Sequence, residues 1–175
     1  MIYLVRHGET DFNKFSVSQG QLQTSLNAKG IEQAKELSEK LKDYKFDMVI
    51  SSPLIRAIQT AEYVLKYHPE NELLLDERIM EASRGSLEGK KNPQEVYDEF
   101  FKDPHKFGGE TNEDVVNRLS SFLKDLEKHK GKRILIVTHG GVFMGFNFIF
   151  QGKDLQNDKY ERYETKNCAV KEYEF

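Results

Sequence analysis

Cysteine, net charge and long apolar runs are what this chain has least of, and each shortage narrows what it can be. A single cysteine, Cys168, in 175 residues excludes an internal disulfide and a metal site built on several thiolates. A reducing, cytoplasmic location is the expectation. Charge almost cancels, with 26 basic against 29 acidic side chains and a formal net of -3, so no basic field is offered to nucleic acid or to an anionic membrane. No apolar run approaches the ~20 residues that span a bilayer, and the first residues show no signal-peptide pattern. An anionic ligand must therefore be caught by a local cluster of cations. With no repeat, low-complexity tract or linker, residues 1–175 are expected to form one domain.

What is there alternates between short apolar runs and amphipathic stretches. Ile2-Tyr3-Leu4-Val5, Met48-Val49-Ile50-Ser51 and Ile134-Leu135-Ile136-Val137 read as buried strands, Glu72-Leu73-Leu74-Leu75 as another strand, and Cys168–Phe175 as a half-exposed last strand. Between them, Asn27 caps a helix to about Asp43 carrying Ile31, Ala34, Leu37 and Leu41 on one face. Ser52-Pro53 predicts the start of a second helix with Leu54, Ile58, Ala61 and Leu65 inward. Asn92, Pro93 and Glu95 predict a short helix through about Lys102, and Thr111 one carrying Val115, Leu119, Phe122, Leu123 and Leu126. Phe143–Phe150 is a nearly all-apolar helix and must be buried. Asp11–Leu26, polar and aperiodic, reads as a loop. Strands alternating with helices predict an α/β fold, a three-layer α/β/α sandwich on a mainly parallel sheet.

Two of the strands end alike. Val5 is followed by Arg6-His7-Gly8 and Val137 by Thr138-His139-Gly140-Gly141, which places both histidines at a sheet's carboxyl edge, where open α/β sheets bind ligands. Arg56 stands in a helix's first turn, where the helix dipole disfavours a cation by a few tenths of a kcal/mol; a bound anion would account for it. Arginine grips two phosphate oxygens at once, and a neutral imidazole can attack phosphorus. A carboxylate from the polar turn after the third strand would supply acid catalysis, and by residue type alone Asp76, Glu77, Glu81 and Glu88 all compete. No His-x-x-x-His occurs and His68 and His105 stand apart in sequence, so no metal site is expected.

These stretches resemble the histidine phosphatase superfamily, the phosphoglycerate mutase-like fold. The resemblance rests on Arg6-His7-Gly8-Glu9-Thr10, Gln19-Gly20, Ser51 through Ala61, Glu81 with Leu87-Glu88-Gly89, Gly108-Gly109-Glu110-Thr111 and Thr138-His139-Gly140-Gly141, in the family's order. It implies His7 as nucleophile, Arg6, Arg56 and His139 as holders of the phosphoryl oxygens, and Glu81 as general acid and then base. It further implies substrate contacts from Asn13, Gln19, Gly20 and Gly140, and no metal or other cofactor. The chain departs from the family pattern at Gln23-Thr24-Ser25-Leu26 and at Leu87, where many members have tryptophan; it has none. Both departures fall in loops expected to border the pocket.

The resemblance implies that mutase members carry a long insertion after the Glu-Gly pair, whereas only a short helix separates Gly89 from Gly108 here. The expectation is a hydrolase of a small phosphorylated metabolite, of α-ribazole phosphate or sugar-phosphate type, working through phosphohistidine. The alternatives are a bisphosphoglycerate-dependent phosphoglycerate mutase and a noncatalytic phosphate- or phosphoprotein-binding module. Partners are expected to be the small substrate alone, with no nucleic acid or membrane. Phe12, Phe15, Tyr160 and Tyr163 offer aromatics that cover the pocket or mediate self-association, leaving monomer or homodimer.

Overall fold

The structure, a computed structural model, describes residues 1–161 and 165–175; Tyr163 lies outside them. Five strands, β1 (Ile2–Arg6), β2 (Met48–Ser51), β3 (Leu73–Leu75), β4 (Ile134–Thr138) and β5 (Val170–Tyr173), form one sheet in the order β3-β2-β4-β1-β5. All neighbouring pairs are parallel except β1 with β5. Alternation along β1 explains the layers. Ile2 and Leu4 join Ile134 and Ile136 against α5 (Asn112–Leu126) and α6 (Gly140–Phe150). Tyr3 and Val5 join Leu135 and Val137 against α2 (Ala28–Leu41) and α3 (Ile55–Leu65). Ile134 to Val137 are wholly buried, worth about 1.5–3 kcal/mol for each such side chain, which makes β4 the sheet's centre.

The chain leaves β1 toward α2 on one face and leaves β4 toward α6 on the other, although the two strands are neighbours. Their carboxyl ends therefore part and open a crevice, the switch point at which such sheets bind ligands. Backbone bonds continue the pairing into it: the His7 N–H donates to Thr138 O at 2.9 Å and the Ser52 N–H to Val137 O at 3.0 Å.

Several boundaries differ from those expected. Asp11–Lys14 is a single helical turn, α1, closed by a capping box between Thr10 and Asn13, too short to show a period. Asn27 and Thr111 cap α2 and α5 as expected. Ser52 does not cap α3, which begins at Ile55 after Leu54; its hydroxyl faces His139 instead. Asn92 does not cap α4 (Gln94–Lys102), which starts after Pro93, because its amide donates to Leu87 O and Lys90 O. The apolar helix α6 begins at Gly140, since two glycines hide its first turn from a hydrophobicity pattern. Of the expected aromatics, Phe15 is exposed, while Phe12 and Tyr160 are half-buried.

Candidate active site

His7 stands at the carboxyl end of β1, 2% exposed, and its imidazole has a defined tautomer. Nδ1 lies 2.7 Å from the carbonyl of Gly8, which only accepts, so Nδ1 carries the hydrogen. Nε2 is left with its lone pair, and it accepts from Arg56 Nε at 3.3 Å. Burial, then the nearby guanidinium charges of Arg56 and Arg6, hold this imidazole well below its ordinary pKa, so it is neutral at pH 7.

The ring of His139 lies 5.1 Å from that of His7, centre to centre. It is wholly buried, and burial followed by Arg56 and His7 pushes its pKa well down as well. Ser52 Oγ accepts from the Leu54 N–H at 3.3 Å and stands 2.7 Å from His139 Nε2. His139 Nδ1 is buried with no hydrogen-bond partner among the described residues.

Arg56 is wholly buried and held from all sides. Its terminal nitrogens donate to Leu22 O at 2.8 Å, Thr24 Oγ1 at 3.2 Å and Gly20 O at 2.8 Å. The polar stretch read as a loop thus serves as a cradle for this guanidinium. Its carbonyls, not an anion alone, offset the unfavourable helix dipole. Burial lowers its pKa to about 10, against the opposing pull of Glu81 and Glu88, so it keeps its charge at neutral pH.

Glu81 approaches from the turn after β3. Its carboxylate accepts from its neighbour Ala82 N–H at 2.8 Å and from Gly141 N–H at 3.1 Å, at the start of α6, where the helix dipole favours an anion. A Cβ on Gly141 would come within 2.3 Å of Glu81 Oε1, so the second glycine makes room for the acid. The segment carrying Glu81 is tied down by Thr138 Oγ1, which donates to Ile79 O at 2.7 Å, and by Gln21 Nε2, which donates to Glu81 O at 3.0 Å.

A model of the histidine phosphatase superfamily, branch 1, matches residues 2–175. The chain belongs to that superfamily. Among its relatives, the metal-independent phosphoserine phosphatase of Arabidopsis thaliana is 37% identical over 153 residues, covering 81% of this chain and 64% of that protein. Putative phosphoserine phosphatase 2 of Hydrogenobacter thermophilus is 32% identical over 165 residues, covering 89% of this chain and 81% of its own. The solved phosphoserine phosphatase of Entamoeba histolytica in complex with 3-phosphoglyceric acid superposes with a TM-score of 0.81 at 27% identity, covering 97% of this chain and 87% of that one. The chain spans just under two thirds, 66% and 64%, of the length of two Arabidopsis relatives it matches.

Arg6, His7, Asn13, Gln19, Gly20, Arg56 and Glu81 line one cavity of about 240 Å³. His139 and Gly140 are not among its lining residues; the His139 ring lies 5.1 Å from that of His7, and Gly140 opens α6 beside Arg6 and Glu81. Asn13 spends its amide oxygen on Thr10, which leaves its nitrogen end as a donor. Gln19 Oε1 accepts from the hydroxyls of Thr10 and Thr24, at 2.9 and 2.7 Å. Gly20 has φ +49°, and a Cβ there would strike Glu88, so its glycine serves the Arg56 cradle as much as any ligand.

The cavity also takes in Val17, Ser18, Arg84, Tyr97 and Phe101, none of which the sequence singled out. Tyr97 and Phe101 lie four residues apart on α4, a spacing that puts both on one helix face and was the available signal. No group of three or more His, Cys, Asp or Glu side chains among the described residues is arranged to hold a metal ion.

Proposed function

We propose that the protein hydrolyses small phosphomonoesters through a phosphohistidine on His7. The observation that carries this reading is the imidazole's fixed tautomer: a neutral ring with its lone pair on Nε2, facing a buried arginine. Nε2 attacks phosphorus and the bond to the leaving oxygen breaks. As the phosphoryl group arrives, the Arg56 Nε–H passes from the imidazole lone pair to a phosphoryl oxygen. Arg6, the Asn13 amide nitrogen and His139, whose Nδ1 has no other partner among the described residues, complete the set of donors in this reading. Glu81 delivers a proton to the departing alkoxide, then takes one from the water that displaces His7. The cationic side chains supply the charge stabilisation, so no metal ion is needed.

Relatives bear the names of phosphoserine and α-ribazole-5'-P phosphatases. A cavity of about 240 Å³ is smaller than the 300–1,000 Å³ of typical ligand sites, which favours a substrate of sugar-phosphate size or less over α-ribazole phosphate. Only α4 and a short 3₁₀ turn, Pro104–Phe107, cover the site between Gly89 and Gly108, and easy access for water favours hydrolysis over mutase chemistry. The test is turnover of p-nitrophenyl phosphate in EDTA, with acid-labile phosphate trapped on the wild type and neither signal in His7→Ala. Turnover that survives His7→Ala overturns the reading, and so does turnover that EDTA abolishes.

A further inference from the structure

The cavity holds a third arginine that the reaction as proposed does not use. Arg84 follows Glu81 by three residues, and its backbone N–H is held by Glu88 Oε1 at 2.8 Å. Its guanidinium carbon lies 5.3 Å from the ring centres of both Phe100 and Phe101 on α4. Aromatic faces position a guanidinium without consuming its N–H donors. Arg78 and Arg118 are paired with carboxylates, Asp76 and Asp125 for the first and Glu110 for the second. Arg84 joins none of the ion pairs among the described residues, although it lines the same cavity as His7.

We infer that Arg84 reads a second anionic group on the substrate, a carboxylate or a second phosphate, and that the preferred substrates are short phosphomonoesters carrying one. The inference rests on the hydrolase reading above. Arg6, Arg56 and the histidines already answer the charge of the reacting phosphoryl group. A further cation lining the same cavity adds attraction only where the substrate has charge left over. The cavity's size keeps the two anionic groups a few atoms apart.

The test pairs substrates that differ in that group alone: 3-phosphoglycerate against glycerol 3-phosphate, and 1,3-propanediol bisphosphate against 1,3-propanediol monophosphate. Wild type should prefer the more anionic member of at least one pair by kcat/KM, and the responding pair identifies carboxylate or phosphate. In Arg84→Ala that ratio should fall roughly 10- to 100-fold, the range for losing a charge-assisted pair of hydrogen bonds. Arg84→Lys should keep part of it, and Arg84→Glu should shift preference toward phosphoethanolamine. A wild type without preference in either pair overturns the inference, as does a ratio unchanged in Arg84→Ala even when both rates fall together. A wild type that turns over p-nitrophenyl phosphate through His7 but fails here loses only the Arg84 inference. One that turns over no phosphomonoester loses the hydrolase reading too.

Discussion

At the residue scale, the proposed chemistry depends on two imidazoles kept neutral beside two guanidinium groups. Burial disfavours the imidazolium of His7 and the neighbouring Arg56 and Arg6 charges disfavour it further, so the proton leaves at a pH below the ordinary 6.5. The acid limb of kcat/KM, corrected for ionisation of the substrate, should therefore lie below pH 6.5. A limb centred at or above that value would mean that the ring is protonated in the free enzyme and that the tautomer drawn from Gly8 and Arg56 is wrong. His7, His139, Arg6 and Arg56 stood out by residue type and position in the sequence, whereas Glu81 was picked from Asp76, Glu77 and Glu88 by the family resemblance alone. Arg84 was not legible, because a single arginine in a polar turn carries no local signal until α4 brings Phe100 and Phe101 against it.

At the scale of elements, the start of α6 is where strand, acid and helix meet. Gly141 donates its N–H to Glu81 and leaves space for the carboxylate, so Gly141→Ala puts a methyl group 2.3 Å from Oε1. The nearest atom belongs to the end of a side chain, which can swing away, and alanine favours the helix over glycine by up to about 1 kcal/mol. Gly141→Ala should therefore unfold at nearly the wild-type denaturant concentration yet lose at least tenfold in kcat on an alkyl phosphate. The loss on p-nitrophenyl phosphate should be smaller, since nitrophenolate departs without an acid. Equal losses on both substrates would show that Glu81 does not act on the leaving group. Capping signals at Asn27 and Thr111 were readable because their partners lie three residues away, whereas α1 and the α6 start were hidden by shortness and by glycine.

At the scale of the whole molecule, neutral buried histidines make stability depend on pH. Below pH 6.5 the unfolded chain takes up protons at His7 and His139 that the folded protein resists. Their contribution is complete above pH 6.5 and is lost as pH falls toward the folded pKa values, at up to about 1.4 kcal/mol per pH unit for each ring. The urea midpoint should accordingly drop between pH 7 and pH 5.5; an unchanged or higher midpoint would contradict the direction of both shifts. The carboxylates whose pKa is lowered by partners, Asp76 and Asp114 among them, stay ionised across that window and do not mask the effect.

By itself the sequence determined the layers, the strand-ending histidines and the family. Hydrophobic alternation, helix caps and short motifs are written in residues a few positions apart, and they survive reading along one dimension. Only the tertiary structure decided that the polar stretch after α1 cradles Arg56 through backbone carbonyls, that Ser52 serves His139, and that α4 sets aromatic rings against Arg84. Those choices rest on contacts between residues 16 to 87 positions apart in the chain. Most are made to main-chain oxygens that every residue possesses or to side chains with no periodic pattern, so they exist only once the sheet has brought the ends of β1, β2 and β4 together.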